Sequence, residues 1–61
     1  MDAIHRIERQ WFRAAAVRLV ATKGVEHARE VADFHRREPM PGASFYPDMI
    51  EDAIKASEVA A

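Results

Sequence analysis

The stretch Leu19-Val20-Ala21-Thr22-Lys23-Gly24-Val25-Glu26-His27-Ala28 decides the fold, because Gly24 either ends a helix or sits inside one. From Ala3 to Arg37 the chain is rich in Ala, Arg, Glu and Leu and contains no proline, which is strong helix composition. Asp2 offers an acceptor to free amides of the first turn. A glycine in a helix interior costs roughly 1 kcal/mol, so composition alone leaves both readings open. The apolar pattern favours continuity. Ile4, Ile7, Trp11, Ala14 and Ala15 make one apolar stripe that Phe12, Ala16 and Leu19 widen, and Ile4, Ile7, Trp11, Ala14, Arg18, Ala21, Val25, Ala28, Ala32 and His35 keep a 3-4 spacing through Gly24. A break has no reason to preserve that register. The spacing therefore predicts one helix over about 3–37, or two nearly collinear ones meeting near 24.

Working outward, Glu38-Pro39-Met40-Pro41-Gly42 stops the helix, since each proline lacks an amide donor and restricts the residue before it. The connection is expected over 38–47, with Phe45 and Tyr46 in it or just after it. Pro47 then suits a first helical turn, and Asp48, Glu51 and Asp52 load the start of a last helix (about 48–60) with the charge its dipole favours. Ile50, Ala53, Ile54, Ser57 and Ala61 share one face of it, while Glu51, Lys55 and Glu58 line the other. The reading is all-α: a single small domain over 1–61, built as a helical hairpin with a long first helix and a shorter second one. The second arm covers only part of the first, so an oligomer or a larger partner is expected to complete the fold.

Size supports that expectation. A chain of 61 residues buries only about 60% of its unfolded surface, and with no cysteine it has neither a disulfide nor a thiolate metal site to add stability. Charge is asymmetric. Residues 1–37 carry eight Arg or Lys against five acids, whereas residues 38–61 carry one Lys against five acids. The two halves can neutralise each other within one chain or between chains. No apolar run approaches the roughly 20 residues of a membrane helix; Ala14–Val17 and Leu19–Thr22 are short and split by Arg18. The charged opening MDAIHRIERQ has no apolar signal core, so a cytoplasmic location without membrane contact is expected.

Protein contact uses most of the chain. Ile4, Ile7, Trp11, Phe12, Phe34, Ile50 and Ile54 supply apolar surface, and Phe45 and Tyr46 sit beside prolines as rigid aromatic contacts. Arg18 is the anomaly on the apolar stripe, where it either reaches solvent or meets a partner's carboxylate. The expected function is that of a small accessory or regulatory protein that binds itself or a larger protein, as a homo-oligomer or hetero-complex. No catalysis by the chain alone is expected, and a place as a non-catalytic subunit of an enzyme fits the same reading.

Two other chemistries compete. Arg6, Arg9 and Arg13 form a basic stripe able to meet phosphates, which makes a small DNA-binding regulator the first alternative. The run holding Ala15, Ala16, Leu19, Gly24 and Val25 is loosely similar to the opening of a helix-turn-helix. That likeness ends there: the next helix would carry Glu26, Glu30 and Asp33, would run into Pro39, and has no clean third helix to brace it. The pairs His5/Glu8 and His27/Glu30 share helix faces at i,i+3 and make a helical metal-binding subunit the second alternative. Their order reverses the E-x-x-H usual in bundle metal sites, so no metal and no cofactor are expected. Ser44 and Ser57 lack a neighbouring base, so no nucleophile is expected either.

Overall fold

The structure is a computed structural model that describes residues 2–60, with side-chain environments described from Glu8 to Val59. The described residues form three helices: α1 (Asp2–Lys23), α2 (Val25–Arg37) and α3 (Tyr46–Ala60). The all-α expectation holds, but the two-helix hairpin is corrected, because the expected long arm is two helices. Gly24 is the joint. Its φ of +91° with ψ of 164° is a backbone conformation essentially reserved for glycine, so the α-helical path stops there. Both groups of the joint residue stay bonded across the break. The Gly24 amide donates to the Val20 carbonyl at 3.1 Å, and its own carbonyl accepts from the Ala28 amide at 3.0 Å. One residue thus closes α1 and opens α2.

Nor are the two helices collinear. At 1.5 Å per residue, α1 and α2 laid end to end would exceed about 50 Å, whereas the longest dimension of the molecule is 37 Å. The chain folds back at Gly24, and α3 then lies against both α1 and α2. The last helix is therefore the bracing third helix that the sequence reading does not anticipate.

The connection forms by local turn chemistry. Pro41 and Gly42 occupy the centre of a turn closed by the Ala43 amide donating to the Met40 carbonyl at 3.0 Å, with Gly42 at φ +81°. Proline followed by a positive-φ glycine is the type II arrangement. A second turn, from the Tyr46 amide to the Ala43 carbonyl at 3.1 Å, leads into α3. Pro47 is the second residue of α3, where its missing N–H has no helical partner to lose.

The core is small-residue packing closed by two isoleucines. Ala16 and Val20 of α1, Ala28 and Ala32 of α2, and Ile50 and Ile54 of α3 are buried against one another. Ile50 is fully buried and is the largest such side chain. Alanines at the α1 and α2 positions let the helices approach closely around α3.

The expected stripe is corrected on α1 as well. On α2 it is right: Ala28 and Ala32 are buried, and Val25 packs against them. On α1 the inward residues are Phe12, Ala16, Leu19 and Val20, while Trp11, Ala14, Arg18 and Ala21 are exposed. Trp11 and Ala16 lie about 140° apart around a helix. The register that crosses Gly24 unbroken in the sequence thus joins the outer face of α1 to the inner face of α2.

Candidate interaction surface

Aromatic rings gather where the start of α3 meets α1 and α2. Phe12 packs edge-on against Phe45 with ring centres 5.5 Å apart, and lies tilted by 54° against Tyr46 at 5.1 Å. Tyr46 meets His35 at 5.1 Å, His35 meets Phe34 at 5.5 Å, and Trp11 stands perpendicular to Phe12 at 4.9 Å. The result is a continuous belt running Trp11–Phe12–Tyr46–His35–Phe34 across all three helices. Edge-on contacts of this kind add roughly 0.5–1.5 kcal/mol each beyond area burial. The middle of the belt is half-buried, and burial raises the Tyr46 phenol pKa above its ordinary value. Nδ1 of His35 is buried without a hydrogen-bond partner, a place where desolvation is uncompensated. Both ends of the belt face solvent: Trp11 is 64% exposed and Phe34 is 53% exposed.

Beside Trp11, a shallow groove runs along α1 to Tyr46, floored by Ala14, Ala15 and Leu19 and edged by Arg18 and Lys23. Its floor is apolar because successive turns of α1 place alanine and leucine there. Its edge is basic, with no carboxylate among the described residues that line it. Arg18 makes no ion pair among the described residues. The Thr22 hydroxyl, at the far end of the groove, donates back to the Arg18 carbonyl at 2.7 Å.

The remaining charge is arranged differently. Between α2 and α3, Arg36 spans two carboxylates, with Nη1 to Glu51 Oε1 at 2.6 Å and Nη2 to Asp48 Oδ1 at 3.1 Å. This shared hydrogen bonding raises the Arg36 pKa beyond its usual range and lowers that of Glu51. Arg29 meets Glu58 at 2.8 Å. These bridges realise part of the charge complementarity between the two halves of the sequence, and they do so through Arg29 and Arg36 of α2. The cleft they leave, lined by Arg29, Asp33, Glu51 and Lys55, mixes both signs.

The site residues named from the sequence fall into several groups. Trp11, Arg18 and Phe34 are exposed, and Phe12, Phe45 and Tyr46 are half-buried in the belt. Ile50 and Ile54, read as interface residues, lie in the chain's own core. The side chains of Ile4, Ile7, His5 and Arg6 lie outside the described residues. The basic stripe is partly engaged: the Arg9 guanidinium sits over the Phe45 ring at 5.5 Å, and Arg13 lines a cleft with Met49 and Asp52. Glu8, His27 and Glu30 are exposed, and no three metal-binding side chains cluster among the described residues. The spacing puts Trp11 and Ala14 on one apolar stripe with Ala28 and Ala32, and the structure splits that stripe: Trp11 and Ala14 face solvent while Ala28 and Ala32 are buried. The signal that α1 has two apolar faces is present in Phe12, Ala16 and Leu19, which look in the sequence like a mere widening of that stripe. Among the described residues no helix is long and apolar enough to cross a membrane. No protein-family model matches the chain, and neither a curated protein nor a solved structure shows significant similarity to it.

Proposed function

We propose that this is a small helical accessory or regulatory protein that acts by protein–protein contact, with the outer face of α1 around Trp11 and Arg18 as the contact. One observation carries the reading: a tryptophan 64% exposed beside an apolar groove in a chain whose own core is already closed by Ile50 and Ile54. Tryptophan and arginine are among the residue types most enriched at interface hot spots, because each contributes large area or several hydrogen bonds from one side chain. Leaving an indole in water forgoes the gain from its burial, about 25 cal/mol for each Å² removed from solvent. A face built only for solvation has no use for it.

The test is site-specific photo-crosslinking in the cells that make the protein. A photoreactive residue replaces Ala14, on the groove floor, and a second variant carries it at Lys55, exposed on α3. Protein adducts at position 14 that disappear with Trp11→Ala are expected. Equal labelling at 14 and 55, or none at 14, would sink the reading.

A further inference from the structure

Arg29 and Arg36 are already paired with α3. Beyond them, two sets of charge unpaired among the described residues each stand beside an exposed aromatic. Arg18 and Lys23 edge the groove on α1, next to Trp11. Glu26, Glu30 and Asp33 are exposed on α2. Their spacing puts them on its outer face, opposite Ala28 and Ala32, with Arg37 at the far end. Phe34, 53% exposed, stands beside those acids as Trp11 stands beside Arg18. Each face pairs an uncovered aromatic with unpaired charge, and the two carry opposite signs. Their spacings also agree. Trp11 to Arg18 is about 10.5 Å along a helix, while Phe34 lies about 6 Å from Glu30 and about 12 Å from Glu26. With the helices antiparallel and the two aromatics together, Arg18 falls between Glu30 and Glu26.

Resting on the reading of the α1 face as a protein contact, we infer that its occupant is a second copy of this chain. The acidic, Phe34-bearing face of α2 docks antiparallel on the Trp11–Arg18 face of α1. The contact joins two different faces, so copies associate reciprocally as a pair or head to tail.

Charge exchange tests this directly. The molar mass in solution is measured by light scattering from low to high micromolar protein for the wild type, Arg18→Glu, Glu30→Arg and a 1:1 mixture of the two variants, with helicity checked by circular dichroism. Both substitutions are at exposed positions, so the helicity of each variant is expected to match that of the wild type. The wild type is expected to rise above its monomer mass of 6.9 kDa. Either variant alone places like charges together and weakens association at least about tenfold. In the mixture every contact between the two variants again joins opposite charges. The introduced glutamate of one meets the introduced arginine of the other, and the unchanged Arg18 meets the unchanged Glu30, so association returns. A wild type that stays at 6.9 kDa overturns the self-docking, as does a mass insensitive to exchange or a mixture without recovery. If position 14 still crosslinks to a different protein in that case, self-docking fails while the proposed contact face stands.

Discussion

Gly24 holds a conformation that a side chain makes costly, although nothing would obstruct one: a Cβ built there meets no atom within 4 Å. The constraint is therefore in the backbone alone. Gly24→Ala is expected to destabilise the fold by about 1–3 kcal/mol, the cost of holding a non-glycine residue in that region. The measurement is a denaturant unfolding series. An unchanged midpoint would mean that α1 and α2 can join by another path. Trp11 argues the opposite case. It stands against Phe12 and lies outside the buried cluster, so Trp11→Ala is expected to cost about 0.5–1.5 kcal/mol, less than a core truncation, while abolishing crosslinking at position 14. A large loss of stability with retained crosslinking would make Trp11 a structural residue. As the only tryptophan, it also reports on its own surroundings, and its emission is expected to shift to shorter wavelength when the face is covered.

At the scale of elements, α3 holds the molecule together. Its Ile50 and Ile54 fill the space between α1 and α2, whose most deeply buried residues are Ala16, Val20, Ala28 and Ala32. Ile50→Ala is expected to cost about 2–5 kcal/mol. In a protein this small that is a large share of total stability, so helicity at 25 °C should fall substantially. Full retention of the wild-type melting curve would show that the core lies elsewhere. The electrostatic link between α2 and α3 depends on pH. Arg36 holds the Glu51 carboxyl below its ordinary pKa, so the stabilisation is complete above the unfolded carboxylate's pKa and is lost as pH falls through the lower folded value. Thermal melts are expected to drop on acidification below about pH 4.3. Arg36→Ala should flatten that acid limb, and an identical pH profile in the variant would remove Arg36 from the account. Both side chains are substantially exposed, so high salt should weaken the same contribution.

In the whole molecule, legibility follows the range of the interactions. Helix composition, the proline stop and the acidic start of α3 each follow from local chemistry, and local chemistry can be read residue by residue. The inward face of α2 is equally legible, because Val25, Ala28 and Ala32 are its one apolar stripe. The first helix is different: α1 carries two apolar faces, Trp11–Ala14–Ala21 on one side and Phe12–Ala16–Val20 on the other. Periodicity cannot rank two stripes of similar hydropathy on one helix. The ranking comes from geometry, because once Gly24 turns the chain back only one side of α1 can meet Ile50 and Ile54. The same turn puts Trp11 and Arg18 outside and sends Ile50 and Ile54 inside, which moves the candidate interface from both arms to one. The amino-acid sequence by itself thus determined that the chain is helical, where its proline-rich connection lies and which ends of its helices are charged, since these depend on neighbours in the chain. Only the tertiary structure decided that Gly24 is a reversal and which side of α1 faces water, because both depend on contacts between residues far apart in sequence.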